Sequence, residues 1–201
     1  MKLYRPVGLY EMVKILNKDG KGFPPRYSYQ PIFYPVLNES YAIQIAQKWN
    51  TLDYNSGFVG FVTEFEIDDN YIKNYESHCV GSEIHKELWI PAEKMSEFNE
   101  NILGRIQIKR AYYGTEYTGI SPNGKSGFKE DNINRQLKLL ESTLNYNCMD
   151  FSGTVYVEWK LINLNFLYWF KVFSEHKKAL KSIYNCLEKN DKLYITKELI
   201  F

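Results

Sequence analysis

The 201-residue chain sets 25 Lys plus Arg against 24 Asp plus Glu, a formal net charge of +1. So even a balance supplies no large field to draw in nucleic acid or an anionic bilayer. No apolar run approaches the roughly 18 residues needed to cross a bilayer, and no charged-then-apolar signal pattern opens the chain, so it reads as cytoplasmic. Cys79, Cys148 and Cys186 are odd in number and unrelated in spacing, which excludes a disulfide framework and leaves reduced thiols. His78, Cys79 and His85 lie close together, but no second cluster completes a tetrahedral set and no metal is expected. Seventeen Tyr and twelve Phe are many for so ordinary a charge content. They fill cores and line pockets that stack flat rings.

In chain order, Leu3 to Val7 reads as a first strand ending near Arg5, and Leu9 to Leu16 has helical spacing. Arg5 offers either a surface ion pair or a planar fork for phosphate or ribose oxygens. Lys18 to Gly22 and Pro24-Pro25 mark a loop. Pro31 to Pro35 is a short strand between prolines. Asn38 suits the N-cap of the next helix, whose stripe is Tyr41, Ala42, Ile45, Ala46 and Trp49. After a turn at Asn55-Ser56-Gly57, Phe58 to Ile67 alternates as a strand. Tyr71 to Glu76 reads as a connector or short helix.

Ile84 to Met95 sets one carboxylate, Glu87, ahead of the strand formers Leu88, Trp89 and Ile90, with Pro91 ending the ladder for want of an N–H. A carboxylate on a rigid strand suits electrostatic catalysis, although an ordinary exposed strand glutamate has the same spelling. Ala92 to Asn101 looks helical, and Arg105 to Tyr113 is a further strand. The first part is thus an α+β domain, residues 1–120.

Gly119 to Ser126 spells a phosphate loop, Gly-x-x-x-x-Gly-Lys-Ser. Its context is wrong: Thr115 to Thr118 is polar where a buried strand is required, and Gly127 weakens the start of a following helix. The loop reads as a hinge to residues 121–201, a mainly helical extension. There, Asn132 to Leu144 and a helix after Ser174 are amphipathic. Val155 to Phe173 is rich in apolar and aromatic residues. So much apolar surface must be covered, and docking on the first domain through Trp159, Phe166 and Trp169 is expected, with a homodimer through this aromatic tail, or a target held by it, as the other possibilities.

The order Leu3-Tyr4-Arg5, Ile32-Phe33-Tyr34 leading into the Tyr41-Ala42 helix, then Lys86-Glu87-Leu88-Trp89-Ile90-Pro91 resembles the ADP-ribosyltransferase superfamily over residues 1 to 115. Leu3 to Phe98 is also similar to short bacterial proteins labelled ADP-ribosylation/crystallin J1, although the crystallin J1 relatives are all-helical hydrolases and this chain is patterned for strands. The resemblance implies a split β-sheet core with flanking helices. It also implies an NAD-dependent ADP-ribosyltransferase, or an NAD glycohydrolase, needing no metal. Glu87 would be catalytic. Arg5, Tyr4, Tyr34 and His85 would bind NAD, with Tyr34 against the nicotinamide. Arginine-modifying members carry a second Glu two residues before the catalytic one. Here that position is His85, which points to another acceptor, a protein or nucleic acid, or to water. A transferase-like module that holds a protein partner without catalysis is the alternative.

Overall fold

The computed structural model describes residues 1–197. Helix and sheet are both present, an α+β protein. The chain divides into two compact units, Met1–Tyr117 and Thr118–Phe201. Among the described residues no helix is long and apolar enough to cross a membrane.

In the first unit, strands β1 (Lys2–Val7), β3 (Val59–Ile67) and β7 (Ile102–Tyr113) form an antiparallel sheet in the order β1-β3-β7. Helix α1 (Leu9–Asn17) follows β1 after Gly8 and buries Leu9, Met12, Ile15 and Leu16, the spacing of one helical face. Helix α2 (Glu39–Lys48) packs Tyr41, Ala42 and Ala46 with Val36 and Val62, and Tyr4 leans against the same cluster. Gly60 makes this possible, because a Cβ there would lie 2.2 Å from the carbonyl oxygen of Ala46. Phe65, on the other face of β3, meets Phe23 with ring centroids 5.0 Å apart, and Phe33 and Phe98 complete that aromatic core.

With both faces covered, β3 is buried continuously from Val59 to Thr63, where the sequence pattern suggested simple alternation. Trp49, expected on the buried stripe of α2, is 55% exposed because the helix ends one residue before it. Asn38 precedes α2 but does not cap it with its side chain, whose Nδ2 donates to Ile84 O at 2.8 Å. Short elements fill the rest: β2 (Ile32–Phe33), α3 (Asp69–Ile72), β4 (Ser77–Cys79), β5 (Lys86–Leu88), β6 (Ile90–Pro91) and α4 (Met95–Glu100).

The second unit is helical: α5 (Ile133–Tyr146), α6 (Cys148–Val157), α7 (Trp159–Val172) and α8 (Lys177–Lys189). Asn132 caps α5 through Oδ1, which accepts from the N–H groups of Asn134 and Arg135 at 3.0 and 3.2 Å. Asn147 caps α6 in the same way, a start that the apolar run of this region hid. A 3-10 turn, Ser174–His176, stands between α7 and α8, so Ser174 is not the cap of α8. Trp159 stacks on Tyr194 at 5.1 Å, Phe166 lies 6.5 Å from Tyr184, and Trp169 donates its indole N–H to Ile133 O at 2.8 Å. All three therefore have partners within their own unit.

Candidate functional site

Residues 31–37 and 86–92 run antiparallel in one register, with Ile32 opposite Pro91, Phe33 opposite Ile90 and Val36 opposite Glu87. Leu88 N–H donates to Pro35 O at 2.9 Å and Leu37 N–H to Lys86 O at 3.0 Å. Pro91 does not stop this ladder, since it is the last residue of β6 and Ala92 N–H carries on to Pro31 O at 2.7 Å. The strand breaks instead at Trp89, between β5 and β6. Val36 turns its other edge to β1, exchanging both backbone bonds with Tyr4 at 2.9 and 2.8 Å. The Tyr4 and Glu87 strands are thus separated by the Val36 segment alone.

Side chains two apart on a strand share a face, which sets Glu87 beside Trp89. The indole Nε1–H donates to Glu87 Oε1 at 2.9 Å. Across the ladder, Tyr34 meets Trp89 edge to face, with centroids 6.2 Å apart, and His78 stacks on the same indole at 4.1 Å. Arg5, Pro6, Tyr34, Val36, Ile45 and Glu87 line a cleft of about 330 Å³. Three of the five residues singled out in the sequence, Arg5, Tyr34 and Glu87, therefore share one cavity. Both anchors are rigidly held. Arg5 Nε–H donates to Glu11 Oε1 at 3.1 Å, a second N–H donates to Tyr34 O at 2.9 Å, and its guanidinium lies 4.5 Å from the centre of the Phe33 ring. A fork fixed on three sides keeps its plane in a way a lysine could not.

The other two residues stand off this wall. Tyr4 packs into the cluster under α2, and its phenol is pushed up from its ordinary value by burial and then by Glu64. His85 stacks on Tyr41 at 4.3 Å, and its Nε2 donates to Gln44 Oε1 at 2.8 Å. The Tyr41 phenol is pushed up by burial first and by the Glu87 charge second, so the carboxylate also bears on this side.

A larger cleft of about 780 Å³ shares Arg5 and Pro6 with the first, and Lys14, Arg26, Tyr27 and Tyr29 line it. Arg26, Tyr27 and Tyr29 follow the loop marked by Pro24-Pro25 and carried no expectation from the sequence. The available signal was Pro24-Pro25-Arg26-Tyr27-Ser28-Tyr29, a cation among aromatics behind a stiff double proline.

The Gly119–Ser126 loop has no strand in front of it, as β7 ends at Tyr113, and the next helix starts only at Ile133. The buried Glu158 carboxylate accepts from Asn123 N–H at 3.0 Å and from the Ser126 hydroxyl at 2.5 Å. An internal anion thus occupies two donors that a phosphate loop would turn to a ligand. No family model matches the chain, and no curated protein or solved structure matches it.

Proposed function

We propose that the first unit has an ADP-ribosyltransferase-like fold and cleaves the nicotinamide–ribose bond of NAD, as a transferase or a glycohydrolase. The observation that carries this reading is the single cleft lined by Arg5, Tyr34 and Glu87. In the reaction the C–N bond breaks, its electron pair leaves with nicotinamide and neutralises the pyridinium, and the ribose carbon gains oxocarbenium character. A fixed carboxylate lowers the energy of that state more than of the ground state, as in glycoside cleavage. Glu87 takes this role, oriented by the Trp89 indole. Tyr34, 37% exposed, offers its ring to the nicotinamide, and the fixed Arg5 fork faces the phosphate side. Water or an acceptor side chain then attacks the ribose carbon and gives up its proton.

The alternative is a transferase-like fold that holds a protein partner without catalysis. It is favoured by the internal partners of both key residues, Glu11 and Tyr34 O on Arg5 and Trp89 on Glu87. Incubation with NAD labelled in both halves separates the two. Release of free nicotinamide, lost in Glu87→Gln, supports the enzyme; its absence with every acceptor tried, in a chain that still folds, leaves the binding module.

A further inference from the structure

The larger cleft holds an arrangement that the chemistry at Glu87 does not use. Arg26 is half-buried, and one of its terminal N–H groups donates to Gln30 Oε1 at 2.8 Å. Its Nε is buried with no hydrogen-bond partner among the described residues. Buried donors are seldom left unpaired in a settled structure. Arg5 stands near enough to act electrostatically on Arg26, and burial and that like charge together push the Arg26 guanidinium down from its ordinary value. The cleft also contains carboxylates, each bonded to a residue that lines it, and the Glu11 charge acts on Arg26 in the sense opposite to Arg5. Glu11 accepts from Arg5 at 3.1 Å, and Asp53 accepts from the Ser56 hydroxyl at 2.7 Å and the Asn55 N–H at 3.1 Å. Lys14 Nζ donates to the Tyr27 hydroxyl at 3.0 Å. Three cations lining one cleft, one of them a half-buried and only partly paired guanidinium, are the chemistry that donates to phosphate oxygens.

Beside them, Tyr27 and Tyr29 lie parallel at 1° with centroids 5.3 Å apart, and Tyr29 is 74% exposed. Flat rings held open to solvent are a stacking platform for another flat ring. The cavity, at about 780 Å³, falls within the range of small-molecule sites.

We propose that this cleft binds the diphosphate of a small ligand that also carries an aromatic ring, with Arg26 as the anchor, Arg5 and Lys14 as supporting charges, and the Tyr27–Tyr29 pair beneath the ring. The site stands on these residues without the NAD reading. If that reading holds, one molecule spans both clefts across their shared Arg5.

The test is calorimetric titration of the full chain with ADP, adenosine and inorganic pyrophosphate. ADP is expected to bind at least tenfold more tightly than adenosine, and Arg26→Gln to abolish that preference. Pyrophosphate distinguishes the sources of affinity: binding weaker than ADP, and insensitive to Tyr29→Ser, assigns the remainder to ring stacking. Lys14→Gln alters an exposed side chain, so it serves if the Arg26 variant does not fold; it should lower the ADP-to-adenosine ratio several-fold. Equal affinity for ADP and adenosine in the parent, or an unchanged ratio in the folded variants, overturns the site. The outcomes are independent of catalysis. ADP bound through Arg26 with no nicotinamide released sinks the NAD chemistry and leaves this site standing, whereas nicotinamide released with an unchanged ratio does the reverse.

Discussion

The two units handle polar groups in opposite ways. In the helical unit the polar interior is bonded within itself, with the buried Thr196 hydroxyl as the exception among the described residues. Gln136 donates to Ile120 O and Glu130 O, each at 2.9 Å, and accepts from Asn165 at 2.9 Å; Asn163 donates to Trp159 O and Lys192 O and accepts from Tyr194 N–H. Even the spelling of a phosphate loop is turned inward onto Glu158. In the sheet unit, Glu87, Arg5 and Arg26 each have some partners, yet all three line open clefts. Satisfied buried networks give rigidity and a unique packing, whereas polar groups held at a cavity wall can exchange their bonds with a ligand. Composition alone would not separate the two. The difference teaches that chemistry is to be sought where the fold leaves polar groups facing space.

The sharpest way to break that contrast is a pair of substitutions, one in each unit. Trp169→Ala empties a fully buried site and removes the indole donor from Ile133 O, so it should lower stability by about 3–5 kcal/mol in urea unfolding. A loss under 1 kcal/mol would mean the helical interior is not packed and bonded as described. Glu87→Gln should leave stability nearly unchanged while nicotinamide release falls on the order of a hundredfold, roughly 3 kcal/mol. Equal turnover in parent and variant would return Glu87 to an ordinary strand residue.

Gln136→Leu should cost about 2 kcal/mol, because Asn165 and two backbone carbonyls lose their shared partner. No effect on ADP or NAD binding is expected from it, and an effect would couple the units. Arg5→Lys should weaken NAD binding about tenfold, since a point charge cannot reproduce the fork. It also gives up the hydrogen bonds to Glu11 and Tyr34 O, so a small loss of stability should accompany it.

The smallest effect concerns pH. The Ser56 hydroxyl, followed by the Asn55 and Ser56 backbone N–H groups, holds the Asp53 carboxyl below its ordinary value against a smaller opposing effect of burial. A carboxyl with a lowered folded pKa stabilises the fold above its unfolded pKa of about 3.9, and that contribution is lost as pH falls through the folded value. The urea midpoints of the parent and Asp53→Asn should therefore differ above pH 5 and converge toward pH 2. A constant difference across that range would mean the carboxylate charge is not what holds the turn beside the larger cleft.

Much of the fold could be read in one dimension. Leu9, Met12, Ile15 and Leu16 repeat at helical spacing, and Ile133, Leu137 and Leu140 mark one face of α5, whose cap at Asn132 is seen only in the structure. These signals are local, set by 3.6-residue periodicity, whereas neither cap read in the sequence, Asn38 or Ser174, caps its helix. Glu87 and Arg5 were visible as candidates because each sits in or beside a short apolar strand. Trp89 was read only as a strand former, and the strand breaks there. It is 43% exposed, and its work is to donate to Glu87 and face Tyr34. No pattern along the chain distinguishes an indole that packs from one that orients a carboxylate.

The sequence by itself determined the α+β class, the positions of α1, α2, α5, β1 and β3, and which charged residues stand on rigid elements, because periodicity and turn chemistry act between near neighbours. Pairing across long separations decided the rest. The Val36 bridges draw Tyr4 and Glu87 to either side of one segment, Tyr4 turns into the cluster under α2, and His85 is spent on Tyr41 and Gln44. The desolvation of Arg26, and its approach to Arg5 across 21 positions of chain, exist only once the loop is folded against β1 and α1. A side chain's identity fixes what it can bond, but the cavity it faces and the charges beside it belong to the tertiary structure, since both depend on residues that the chain brings together from a distance.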